Sequence, residues 1–159
     1  MPKAYLTLLG RSSWSLINSY YAVVEEQSFY PDSVKIYSES KNETEYVTEA
    51  LKIISEEYSF NPSIEVTILP EGVFIAAGNI IGADLKEFKE KGYETALDIT
   101  PGRKPLVAGA ILSASKQNAD HIFYLMIDST EDADKPYTLI PRKRQTLIDF
   151  VNEAKRSMP

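Results

Sequence analysis

Lys3-Ala4-Tyr5-Leu6-Thr7-Leu8-Leu9-Gly10-Arg11-Ser12-Ser13-Trp14 is a compact apolar run that stops at a glycine and passes straight into hydroxyl residues. A short leucine-rich run of this kind suits a strand buried in a parallel sheet. Gly10 ends it. Ser12 or Ser13 can cap a helix carrying Trp14, Leu16, Ile17, Tyr20, Tyr21, Val23 and Val24 at roughly helical spacing, and Pro31 closes the unit.

The same unit repeats along the chain. A second strand is expected around Ser33 to Ser38 and a helix from about Glu43 to Tyr58, with Val47, Leu51 and Ile54 inward and Asn61-Pro62 as the turn. Ser63 to Leu69 alternates β-branched residues and reads as a third strand. A mixed stretch follows through Gly72, Gly78 and Gly82 into Asp84 to Lys91. Thr95 to Ile99 is a fourth strand, Pro105 to Gln117 an apolar helix, and His121 to Ile127 a fifth strand. A last strand is expected near Tyr137 to Ile140 and a last helix from Gln145 to Arg156.

Strands alternating with helices predict an α/β fold, Rossmann-like, with a mostly parallel sheet and helices on both faces. At 159 residues the chain has the size of one domain, and a single domain over 1–159 is expected. With no cysteine, disulfides, thiolate metal sites and cysteine nucleophiles are excluded together. One histidine, His121, makes an imidazole metal site improbable; it reads as structural at a strand start, and no cofactor is expected. The first apolar run is too short for a membrane span and lacks a signal-peptide cleavage pattern, so a cytoplasmic protein is expected. A net charge of −6 argues against broad binding of duplex nucleic acid, so any polyanion must meet a local basic patch.

Two such patches exist, Gly102-Arg103-Lys104 and Arg142-Lys143-Arg144. The second, just before the expected last helix, reads as a solvated face. The acidic run Glu131, Asp132 and Asp134 likewise reads as a solvated loop rather than a cation site. In doubly wound sheets ligands bind beyond the carboxyl ends of the strands, where strand order reverses, which directs attention to the loops after strands one and four. Around Gly10, Arg11, Ser12 and Ser13, free backbone donors at a helix start favour an anion, although simple turning and capping also explain these residues. The other loop, Asp98-Ile99-Thr100-Pro101-Gly102-Arg103-Lys104-Pro105, sets two cations at a helix start. They oppose the helix dipole there unless an anion compensates them. Thr100 adds a hydroxyl, Gly102 permits close backbone approach, and Pro105 suits the first turn.

With these two loops the chain resembles the CRISPR-associated Rossmann fold, or CARF, domains, which bind cyclic oligoadenylates. The resemblance covers nearly the whole chain and is anchored on Leu8-Leu9-Gly10-Arg11-Ser12 and Asp98-Ile99-Thr100-Pro101-Gly102-Arg103-Lys104. In the family the second loop commonly runs Thr-x-Gly, then a small or basic residue, then Lys; Pro101 is a less usual occupant of the x position. A stand-alone domain resembles the ring nucleases, which cut cyclic tetra-adenylate and end type III CRISPR antiviral signalling. The resemblance implies ligand-binding roles for Gly10, Arg11, Ser12, Ser13, Thr100, Pro101, Gly102, Arg103 and Lys104. Catalytic roles fall on Ser12 or Ser13 and on Arg103 and Lys104.

The implied chemistry is a metal-independent phosphodiesterase, with the ligand's own ribose 2′-hydroxyl attacking the adjacent phosphate to leave 2′,3′-cyclic phosphate ends. The two-fold symmetry of a four-phosphate ring implies a homodimer presenting two copies of each loop. Tyr20, Tyr21 and Tyr137 are candidates for adenine stacking or an interface, none of them assigned. Two other readings stand beside this one: a cyclic oligoadenylate sensor that does not cut, and a Rossmann-like enzyme acting on another nucleotide.

Overall fold

The computed structural model describes residues 1–157. Its six-stranded sheet consists of β1 (Lys3–Leu9), β2 (Ser33–Ser38), β3 (Ser63–Ile68), β4 (Glu94–Asp98), β5 (His121–Ile127) and β6 (Gln145–Asp149). The strand order is β3-β2-β1-β4-β5-β6. The first five strands run parallel and β6 pairs antiparallel to β5. Order therefore reverses between β1 and β4, and the loops leaving those strands lie side by side.

The helices are α1 (Ser13–Gln27), α2 (Thr44–Glu57), α3 (Phe74–Glu90), α4 (Lys104–Lys116) and α5 (Phe150–Ser157). Alternation along β1 separates two cores. Ala4, Leu6 and Leu8 pack with Ala77, Ile81, Leu85, Leu106 and Ala110 of α3 and α4, with Val151 of α5 against the same cluster. Tyr5 and Leu9 point the other way, among Leu16, Tyr20 and Val23 of α1 and Val47, Leu51 and Ile54 of α2. Helices thus cover both faces, because a parallel sheet buried on each side has apolar residues at successive positions.

Three segments differ from the sequence-based expectation. The glycine-containing stretch is a continuous helix, α3, and its glycines serve packing. A Cβ on Gly78 would lie 3.1 Å from the Gly109 carbonyl oxygen, and one on Gly109 would lie 3.0 Å from that of Phe74. The Ser113 hydroxyl donates to the Gly78 carbonyl at 2.6 Å across this close crossing.

The expected strand at Tyr137–Ile140 is instead a 3-10 turn over Tyr137–Leu139. The last strand is Gln145–Asp149, where a helix was expected, and α5 begins only at Phe150. Leu147, Ile148 and Val151 fit a helical stripe, but an apolar β5 left as an open edge would be a template for aggregation, and β6 covers it. Asp149 then starts α5 by accepting the Val151 N–H.

Between β5 and β6, Asn18 of α1 holds the chain by donating to the Lys135 carbonyl and accepting from the Tyr137 N–H. Asp132 is fully buried between Lys135 at 2.9 Å and Arg144 at 3.6 Å, so this part of the acidic run is a structural pin and not a solvated loop. Arg142 faces Glu25 at 3.6 Å. Tyr20 has no exposed surface and Tyr137 has 6%, which removes both as stacking platforms. Tyr21 is half-buried and stacks on Tyr137.

His121 lies at the amino-terminal edge of the sheet, opposite the loops after β1 and β4. Its Nδ1 is 2.7 Å from Asp149 and its ring stacks on Phe123. Burial pushes the imidazole pKa down, but the Asp149 and Glu94 carboxylates outweigh this and leave it raised. A raised folded-state pKa stabilises the protein below the unfolded value of about 6.5, and that stability is lost as pH rises through the folded pKa. The parent should therefore exceed His121→Gln in urea-unfolding stability by more at pH 5.5 than at pH 8.5. A gap that widens with pH would contradict this assignment.

Candidate functional site

Hydrogen-bonded neighbours β1 and β4 place Thr7 opposite Asp98, one residue layer below the two loops. Asp98 is fully buried and accepts from the Thr7 hydroxyl at 2.8 Å, the Ser19 hydroxyl at 2.6 Å and the Thr100 N–H at 3.0 Å. Burial raises its pKa against the pull of these donors. One side chain thereby ties β1, α1 and the turn after β4 together. Asp98→Ala leaves these buried donors without their acceptor and is expected to cost about 3 kcal/mol in chemical unfolding.

Above this layer the two loops meet backbone to backbone. A Cβ on Gly10 would stand 2.7 Å from the Gly102 nitrogen. Gly102 itself has φ +98, and a Cβ there would meet Leu8 at 3.0 Å. Glycine is required at both positions by space, and at Gly102 by conformation as well.

Beside this contact opens a cleft of about 690 Å³ lined by Gly10, Arg11, Glu39, Glu43, Glu71 and Arg103, among others. On the other side of the loop pair a smaller hollow of about 190 Å³ is lined by Ser12, Asn18, Thr100, Tyr124 and Leu125. The residues singled out from the sequence are thus divided. Gly10, Arg11 and Arg103 line the large cleft, and Ser12 and Thr100 line the small hollow. Pro101 is buried, and Lys104 stands exposed as the first residue of α4.

The two serines have separate roles. Ser12 is the amino-terminal cap of α1 and accepts from the Ser15 N–H at 3.3 Å. Ser13 donates to Glu43 Oε2 at 3.3 Å and so faces the loop after β2. Ser12→Ala is expected to cost about 1 kcal/mol of stability, the usual value of a cap, while Ser13→Ala should leave thermal unfolding nearly unchanged. Comparable losses in both variants would show that Ser12 does not act as the cap. The Thr100 hydroxyl accepts from the Leu125 N–H at 2.9 Å, which makes it a brace between β4 and β5.

Arg103 does not wait free for an anion. Its Nη2 donates to both carboxylate oxygens of Glu39, at 2.8 and 2.9 Å, and its Nε donates to Oε1 at 3.2 Å. The guanidinium also lies 5.4 Å from the Phe74 ring centroid. Glu39 takes a further N–H from Gly72 at 3.2 Å. Partial burial alone would raise the Glu39 pKa, but Arg103 and the Gly72 N–H hold it below the usual carboxylate range. The anion that compensates one of the two cations at the start of α4 is therefore internal.

Sequence reasoning missed the loop after β2, Glu39-Ser40-Lys41-Asn42-Glu43, and Glu71 after β3. A usable signal was present, because every strand of a parallel sheet delivers its following loop to the same edge. Among the described residues there is no group of three or more His, Asp or Glu side chains placed to hold a metal ion. None of the described helices is long and apolar enough to cross a membrane.

No family model matches the sequence, and no curated protein matches it. Solved structures do match in fold. Csm6 from Enterococcus italicus, bound to cyclic hexa-2′-fluoro-hexa-dAMP, superposes with a TM-score of 0.62 at 15% identity, over 98% of this chain and 43% of that one. Can2 from Sulfobacillus thermosulfidooxidans, in complex with cyclic tetra-adenylate, gives 0.57 at 19% identity, over 77% of this chain and 31% of that one. This chain shares the Rossmann-like α/β fold of these structures. Protein VC1899 from Vibrio cholerae also aligns, with a TM-score of 0.60 at 11% identity, over 77% of this chain and 30% of that one. The chain thus spans between 30% and 43% of the length of these structures. Within this fold, the order reversal between β1 and β4 places the Gly10 and Gly102 loops at the crevice where such sheets take ligands.

Proposed function

We propose that this chain is a CARF domain that binds cyclic tetra-adenylate over the Gly10–Gly102 contact and cleaves it as a ring nuclease. The observation that carries the reading is the junction itself. Two strand-end loops touch through glycines, Arg11 and Arg103 line the cleft beside them, and Lys104 stands exposed as the first residue of α4. Helix starts and cations together favour phosphates. The fold likeness to a structure holding cyclic tetra-adenylate supports the choice of ligand.

In the proposed reaction the ribose 2′-oxygen attacks the adjacent phosphorus and the bond to the 5′-oxygen breaks. The 5′-oxygen leaves with a proton, and the new end is a 2′,3′-cyclic phosphate. Holding nucleophile and phosphorus in line supplies much of the rate, and Lys104 with Arg103 stabilises charge on the phosphoryl oxygens. No imidazole takes part, since His121 lies at the opposite edge of the sheet. Two chains related by a two-fold axis between paired loops would match the symmetry of the ring.

Incubating the purified protein with radiolabelled cyclic tetra-adenylate and separating the products tests the reading. Linear products with cyclic phosphate ends, formed in the presence of chelator, are expected. Retained binding of intact ring would favour the sensor, a reading that the neutralised state of Arg103 also supports. A solution mass of one chain, unchanged by ligand, would refute the dimer.

A further inference from the structure

We propose that Glu39 is a specificity-determining residue of this cleft, an internal carboxylate that competes with ligand phosphate for Arg103 and so excludes small anions. The inference rests on reading the cleft as a phosphodiester site. A carboxylate held by two guanidinium nitrogens has the same forked geometry that Arg offers to phosphate. The Glu39 side chain is only 17% exposed, and its second tie, to the Gly72 N–H, comes from the loop after β3. Arg103 is held in turn by Phe74.

A small anion arriving at Arg103 gains one forked pair and breaks another of the same kind. It also leaves the Glu39 carboxylate short of partners in a cleft that already holds Glu43 and Glu71. Like charges in that position raise the cost further. A larger ring avoids this balance, because contacts at the Gly10 loop and Lys104 add to those at Arg103. Glu39 thereby selects ligands by how many contacts they make, and Arg103 becomes available only to one that engages the rest of the site.

Calorimetric titration of the parent, Glu39→Gln, and the Glu39→Gln/Arg103→Gln pair with inorganic tripolyphosphate tests this directly. Glu39→Gln keeps an acceptor for Gly72 while removing the competing charge. It should bind tripolyphosphate at least tenfold more tightly than the parent, and the gain should vanish in the double variant. Glu39→Asp, which withdraws the carboxylate from Arg103, should show a smaller gain and covers the case in which Glu39→Gln does not fold. Unchanged or weaker tripolyphosphate binding by either folded variant overturns the proposal, as does a gain that survives loss of Arg103. Parallel titration with cyclic tetra-adenylate separates the two readings. A ring bound equally by the parent and the folded Glu39 single variants, without any tripolyphosphate gain, removes only the role of Glu39. A tripolyphosphate gain in a protein that never binds the ring removes only the ligand assignment.

Discussion

Lys104→Ala, alone and with Arg103→Ala, is expected to lower single-turnover cleavage of cyclic tetra-adenylate at saturating ligand by about 10² or more, the scale for loss of one preorganised charge stabiliser. The single variant is the cleaner experiment. Lys104 is exposed at the start of α4, so its removal should barely move the melting temperature. Removing Arg103 strands Glu39, whose side chain is 17% exposed, and mixes a stability loss with the functional one. Affinity should fall in both variants and become less sensitive to salt, because fewer cations meet phosphate. Parent-like binding and cutting by the double variant would refute the site, since these are its two cations at the start of α4. Weakened binding by a protein that has no cleavage to lose would instead identify a sensor.

Gly10→Ala is expected to be as severe by a different route. Its Cβ would lie 2.7 Å from the Gly102 nitrogen, and the obstacle is backbone, not a side chain that can turn away. The loops must separate, at a cost of about 2–4 kcal/mol by the usual scale of overpacking and backbone strain. Ligand binding should be lost even at temperatures where the variant stays folded, because separation dismantles the junction. Gly92→Ala is the control. Gly92, unlike Gly10, has positive φ, at +82, but nothing lies within 4 Å of its added Cβ, so only conformational strain of about 1 kcal/mol is expected. Equal effects of the two substitutions on ligand binding would show that the contact between the loops does not matter.

Asp98 explains why so small a displacement should matter. Its carboxylate binds groups from β1, α1 and the turn that leads to Gly102, so the loops rest on one buried polar layer. Nothing in the sequence around Asp98 distinguishes it from a polar residue at a strand end. Only the register that sets Thr7 beside it, and the fold that brings Ser19 over it, add two donors to the local Thr100 N–H.

Local patterns in the sequence were enough to determine five strands of a mostly parallel sheet, the helices after the first, second and fourth of them, and the two loops with unusual chemistry. The run Lys3 to Leu9, the stops at Gly10 and Asn61-Pro62, and the cap at Ser12 act over a few residues, and short-range chemistry decides them. The sequence also located Gly102 as a place for close backbone approach, and Gly10 only as the end of a strand, without making them each other's partners. Tertiary structure alone decided the remainder. Gly78 and Gly82 resemble helix breakers until α4 lies against them, and Leu147 and Ile148 resemble a helix until β5 presents an open edge. The pairing of Arg103 with Glu39 joins residues 64 positions apart, and no periodicity or motif encodes it. Whether a charge is free for a ligand depends on its neighbours in space, and those are fixed only when the sheet assembles.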